Sequence, residues 1–180
     1  EVYNKVVSRT LANGTTTASY YTTIDPESTK LMGKICSERN QRALVGKVCM
    51  DRNGPDFYVE STDDCLKSCE EVINYLQKDL CDPKVLPVLT PRFAPTCSEE
   101  LMNKLSELSR EYGDLHIQTH LSENDNEIEW VRNLFPQCET YTDVYNKFNL
   151  LTKKTVLAHC VHLTAQEGKL IKTRDCGISH

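Results

Sequence analysis

What most constrains the fold of this chain is an alternation. Its hydrophobic pattern switches repeatedly between short runs of strand length and longer stretches with apolar residues every three to four positions. Residues 14–21 (GTTTASYY), rich in Thr and Tyr, predict a strand. Residues 42–50 (RALVGKVCM) form a mostly apolar run, of the kind found where both faces of a parallel sheet are covered. Further strands are predicted at 85–89 (VLPVL), 115–120 (LHIQTH) and 155–160 (TVLAHC), with a sixth beginning at 177–180 (GISH). Between them lie helical patterns. Val2, Val6, Val7 and Leu11 recur at helical spacing and stop at Asn13-Gly14. A short helix is expected around 28–36. Ser61 or Thr62 caps a helix running to Leu80 with a stripe of Leu66, Val72, Ile73 and Leu76, and Ser98 opens another that ends near Gly113. Helical spacing returns at 127–134, breaks at Pro136, resumes at 143–150 and appears again at 164–174.

Short apolar strands alternating with helices require right-handed crossovers and a parallel sheet, so the class is α/β. The pattern opens in a helix and closes in a strand, with about six strands in 180 residues. A closed (β/α)8 barrel takes eight strands and ~250 residues. The expectation is therefore a partial (β/α)8 TIM-type barrel: one domain over residues 1–180, the central part of a barrel whose first and last strands are missing.

Composition narrows the partners. A formal charge of −5 provides no basic field to neutralise a phosphate backbone, so neither a nucleic acid nor an anionic membrane is expected. No apolar run approaches the ~20 residues of a membrane helix, and residues 1–5 lack the layout of a signal peptide. A cytoplasmic location follows as an expectation. The nine cysteines are odd in number and scattered through ordinary elements, which predicts free thiols. Cys65 and Cys69 are spaced i, i+4, but no second pair stands at zinc-finger spacing, so buried helix cysteines are expected rather than a sulfur-based zinc site.

In parallel α/β proteins functional side chains gather at the carboxyl ends of the strands. Here those ends carry Arg92-Phe93, His120, His159 and His180. Along 115–120 the period of two puts His116, Gln118 and His120 on one face and Leu115 and Ile117 on the other. Two readings stand for His120 and Glu123. In one, His120 is a metal ligand at a barrel mouth and Glu123, three residues on, exchanges protons with a nearby water. In the other, His120 is a hydrogen-bonded structural histidine and Glu123 a carboxylate at a helix start. His159 reads equally as a core histidine or as a second imidazole near His120. Arg92 beside Phe93 suits a planar heterocycle bearing a carbonyl, or else a salt-bridged loop. His116 and His162 read as structural.

The strings GTTTASYY, RALVGKVCM, TPRF followed by CSEELM, LHIQTHLSEN, LLTKKTVLAHCVHL and the terminal CGISH, in this order and at these separations, resemble the guanine deaminases of the amidohydrolase superfamily across essentially the whole chain. The resemblance implies a (β/α)8 barrel that binds one zinc ion and hydrolyses guanine to xanthine and ammonia, working as a homodimer. It implies that His120 is a metal ligand, that Glu123 shuttles the proton, and that His159 assists beside the metal. Arg92 and Phe93 resemble the guanine-contacting pair, and Gln118 is a weaker substrate-pocket candidate. The family's H-x-H and its later Asp have no counterpart in these residues. This chain by itself is accordingly expected to be inactive. Three functions are open: part of a guanine deaminase, a non-catalytic binding or oligomerisation module, or a related zinc deaminase acting on another base.

Overall fold

A computed structural model describes residues 1–180. Six parallel strands form one open sheet in the order β1, β2, β4, β5, β6, β7, where β1 is Thr17–Tyr21, β2 Arg42–Gly46, β4 Val85–Pro91, β5 His116–Leu121, β6 Thr155–His159 and β7 Gly177–Ser179. A two-residue strand, β3 (Val48–Cys49), pairs with the end of β4 through Val48↔Thr90 and Cys49↔Pro91. Every pairing is parallel, as a chain of right-handed crossovers demands. The architecture is the α/β half-barrel expected from the alternation.

The helices between strands are α1 (Val2–Ala12), α2 (Pro26–Glu38), α3 (Thr62–Asn74), α4 (Glu99–Glu111), α5 (Asp125–Leu134), α6 (Tyr141–Lys147) and α7 (Ala165–Thr173). Most start where a side chain takes up an orphan amide. Ser98, Asn124, Thr140 and Thr164 accept from the amides of Leu101, Glu127, Asp143 and Glu167, the last two as complete capping boxes. The larger core lies between β4–β6 and helices α3–α7; a smaller one lies under α1 and α2.

Three expectations are corrected. Residues 42–50 are not one strand: the run breaks at Lys47, whose side chain is buried and turns toward Glu60. The short helix at 28–36 is α2, with 13 residues, because Asp25 caps it and Pro26 occupies its first turn. The helix ending at Leu80 leaves α geometry after Asn74 and finishes as a π-helical stretch, Tyr75–Leu80, closed by Cys81 in the left-handed region.

Candidate active site

β5 carries the centre of the site. Gln118 is fully buried inside the sheet's concave face, where Ser19 donates to its Oε1 and its Nε2 donates to Tyr20 O at 3.0 Å and Thr90 Oγ1 at 2.9 Å. It sits one layer below the mouth and joins three strands. Two residues on, His120 reaches the mouth, as the period of two requires. Its Nδ1 lies 2.7 Å from the carbonyl of Arg92. A carbonyl only accepts, so Nδ1 carries the proton and Nε2 keeps its lone pair. Burial, the largest influence, holds its pKa below the ordinary histidine value, which favours that neutral form.

Beyond β5, Ser122 adopts φ +50° and turns the chain so that Glu123 comes back over the strand ends. Cys160, Val161 and His162 donate to the carbonyls of Leu121 and Ser122, binding this turn to the end of β6. There His159 and Cys160 both lie in the left-handed region, at φ +71° and +55°. Such backbone in non-glycine residues is uncommon and concentrates at functional sites. The His159 ring stacks against His120 at 5.1 Å, and its Nε2 lies 3.6 Å from Glu123 Oε2, with both side chains about half exposed. The three residues singled out at the ends of two neighbouring strands therefore converge.

Arg92 and Phe93 stand at the end of β4, beside this cluster. The guanidinium is exposed, lies 5.4 Å over the Phe93 ring and approaches the Met50 sulfur at 3.8 Å. The salt-bridged loop alternative is not what the fold presents. Phe93 meets Trp130 of α5 edge-on at 5.9 Å. His162 stands outside the cluster, its Nδ1 3.7 Å from Asp125. His180 lies behind it, its Nδ1 2.9 Å from the His159 carbonyl.

Sequence reasoning missed three neighbours. Tyr21 packs its ring 4.7 Å from His120, with a buried hydroxyl that has no hydrogen-bond partner. The alternation Ser19, Tyr21 along β1 could have placed it on the inner face. Tyr145 is fully buried in α6, and its hydroxyl takes the Ala94 amide at 2.9 Å, lies 3.0 Å from Thr119 Oγ1 and donates to the His120 carbonyl at 2.8 Å. It ties the chain after β4 to the end of β5. Trp130 falls within the helix predicted at 127–134, and nothing in that spacing marks it for the site.

With this geometry in place, likeness to known proteins is informative. The model of the amidohydrolase family matches residues 1–180. The chain belongs to the amidohydrolase family. It is 53% identical over 180 residues to the guanine deaminase of Dictyostelium discoideum, covering 99% of this chain and 39% of that protein. It is 48% identical over 183 residues to the human guanine deaminase, covering 100% of this chain and 39% of that protein. Among solved structures, the guanine deaminase from C. acetobutylicum with bound guanine in the active site superposes with a TM-score of 0.92 at 38% identity, over 98% of this chain and 42% of that one. The chain thus spans about two fifths of the length of the relatives it matches.

Proposed function

We propose that this chain is the central part of a zinc-dependent guanine deaminase and supplies its proton-transfer and base-binding residues. The observation that carries the reading is the convergence of His120, Glu123 and His159 beside Arg92 and Phe93 at one end of the half-barrel, in a chain this similar to guanine deaminases. The donor chemistry fits the metal: His120 offers a neutral Nε2 whose ring is oriented by a carbonyl, the arrangement that zinc-ligating histidines use. Zinc, when bound, supplies the Lewis acidity that makes water a nucleophile near neutral pH.

The chain's own residues do the rest. Arg92 donates to the carbonyl oxygen of the purine and fixes its orientation, with the Phe93 ring against its edge or face. Glu123 takes one proton from the attacking water and delivers it to a ring nitrogen of guanine, then carries the second, from the added hydroxyl, to the departing amine, so that guanine and water become xanthine and ammonia. His159, within reach of Glu123, hydrogen-bonds the oxygen that adds to the ring. Gln118 acts one layer down, holding the strands on which the pocket is built. A homodimer and a cytoplasmic location belong to the same proposal through the family; no helix is long and apolar enough to cross a membrane.

The deciding experiment is steady-state turnover of guanine by the complete polypeptide and its Glu123→Gln variant, with adenine and cytosine as competing bases. The variant is expected to lose roughly 10²–10⁴-fold in kcat while still binding guanine. Near-normal turnover removes Glu123 from the proton transfer, and preference for adenine or cytosine replaces guanine as the substrate.

A further inference from the structure

On the outer side of the sheet, where β3 pairs with the end of β4, a third cysteine sulfur joins those of Cys65 and Cys69. Cys65 and Cys69 lie one turn apart on the inner face of α3, and Cys49 projects from β3 toward them. The three Sγ atoms all lie within 4.8 Å of one another, and Cys49 and Cys69 are 3.3 Å apart. All three residues are buried. Beside them Lys47, also buried, forms an ion pair with Glu60 and brings its Nζ to 3.7 Å from Cys65 Sγ.

We propose that Cys49, Cys65 and Cys69 form a binding site for one soft cation, zinc(II) or copper(I). Metal–sulfur bonds of about 2.3 Å around a shared ion put the sulfurs roughly 4 Å apart, close to their present separations. The donors stand on a helix and a strand packed together, so only small rotamer changes are needed to close the site. A dry, all-sulfur setting excludes calcium and magnesium, which require oxygen ligands, and selects thiophilic ions. Lys47 supplies the second argument. Burying an ion pair among apolar neighbours is costly, and a core of three neutral thiols gives no reason for it. Three thiolates around a divalent ion carry one net negative charge, and the Lys47 ammonium stands where it can donate to the Cys65 sulfur while keeping its ion pair with Glu60. Hydrogen bonds among the three shift them in both directions, and burial raises all three, so the uncomplexed thiols stand above the ordinary thiol range. Binding therefore releases three protons to solvent, forms three metal–sulfur bonds and transfers no electron.

The site is independent of the proposed deamination, so the two succeed or fail separately. The test compares the complete polypeptide with its Cys65→Ala/Cys69→Val double variant, chosen to keep the packing apolar. Each is loaded with zinc(II), or with copper(I) under anaerobic reducing conditions, then desalted and assayed for metal per chain. The wild type is expected to retain one equivalent more than the variant in one of the two arms, and the arm identifies the ion. Cobalt(II) is expected to give a thiolate charge-transfer band in the wild type and none in the variant. Equal metal counts in both arms overturn the proposal. If the double variant does not fold, alkylation of the wild type decides. Metal is expected to slow labelling of Cys49, Cys65 and Cys69 together, and unchanged labelling overturns the site.

Discussion

Tyr145 shows how a single hydroxyl can set a site without touching substrate. It is the shared partner of the Ala94 amide, Thr119 and the His120 carbonyl, so it fixes the chain that carries Arg92 and Phe93 relative to the strand that carries His120. Tyr145→Phe keeps the ring but leaves a buried amide and carbonyl without that partner. A loss of about 1–3 kcal/mol in denaturant-unfolding free energy is expected, and less for Thr119→Val, which removes one of the hydroxyl's four contacts. Equal losses would mean that the Thr119 contact alone carries the hydroxyl's contribution, and no loss in Tyr145→Phe would mean that the ring's packing is what matters. Glu127 offers a different test. It is 7% exposed, with one carboxylate oxygen lacking a hydrogen-bond partner, and burial pushes its pKa above the usual carboxylate range. A folded pKa above the unfolded value of about 4.3 means that Glu127 contributes stability below that pH and loses it as pH rises through the folded value. Glu127→Gln, neutral throughout, is therefore expected to melt above the wild type at pH 7 and beside it at pH 4. A lower melting temperature at pH 7 would show that the helix start favours the carboxylate more than burial opposes it. At this scale His120, Glu123, His159, Arg92 and Phe93 were legible because strand-end position is written into the local pattern. Tyr145 was not, because its partners lie on other elements and no local period marks it; the alternation along β1 marks Tyr21 as inward-facing but does not show that His120 of β5 is its neighbour.

At the scale of elements, strands and helices were legible wherever local chemistry and tertiary packing agree. α7 is an example: Thr164 and Glu167 reciprocate at its start, as their three-residue spacing suggests. Thr164→Ala is expected to cost ~1 kcal/mol, read from the denaturation midpoint, and a change below a few tenths would assign the helix start to packing alone. The break at Lys47 was illegible for the opposite reason. An apolar run with one lysine looks like a single strand, and only the buried contact with Glu60 and the cysteines of α3 explains why the chain kinks there. Gly46, just before the break, is required by close approach. A Cβ at this position would meet Thr90 Oγ1 and stand 2.6 Å from the Val88 carbonyl and 3.0 Å from Gln118 Nε2. The Val88 backbone cannot yield as a side chain can. Gly46→Ala should therefore destabilise by ~1–3 kcal/mol or more and disturb the Gln118 hydrogen bonds, whereas Gly168→Ala, with nothing within 4 Å, serves as the neutral control.

At the scale of the whole molecule, the parallel sheet ends in two unpaired edges. β1 pairs only with β2, and β7 only with β6, leaving β7, with the half-exposed Ile178 at its centre, exposed along its length. Unpaired strand edges recruit other strands, and a barrel removes them only by closing. The candidate site has the same property: it draws on the ends of β4, β5 and β6, and a half-barrel gives it one wall. His120 and His159 cannot by themselves complete a selective zinc shell, since catalytic zinc takes three protein ligands and an open position. These arguments converge on one expectation. Residues 1–180 produced alone should self-associate, measured by sedimentation, and should not deaminate guanine, whereas the longer polypeptide should give one defined oligomer and turn guanine over. A monodisperse, monomeric 180-residue species would show that the edges are protected by their own twist and side chains. Turnover by that species would show that the chain's own histidines and carboxylates suffice for the chemistry.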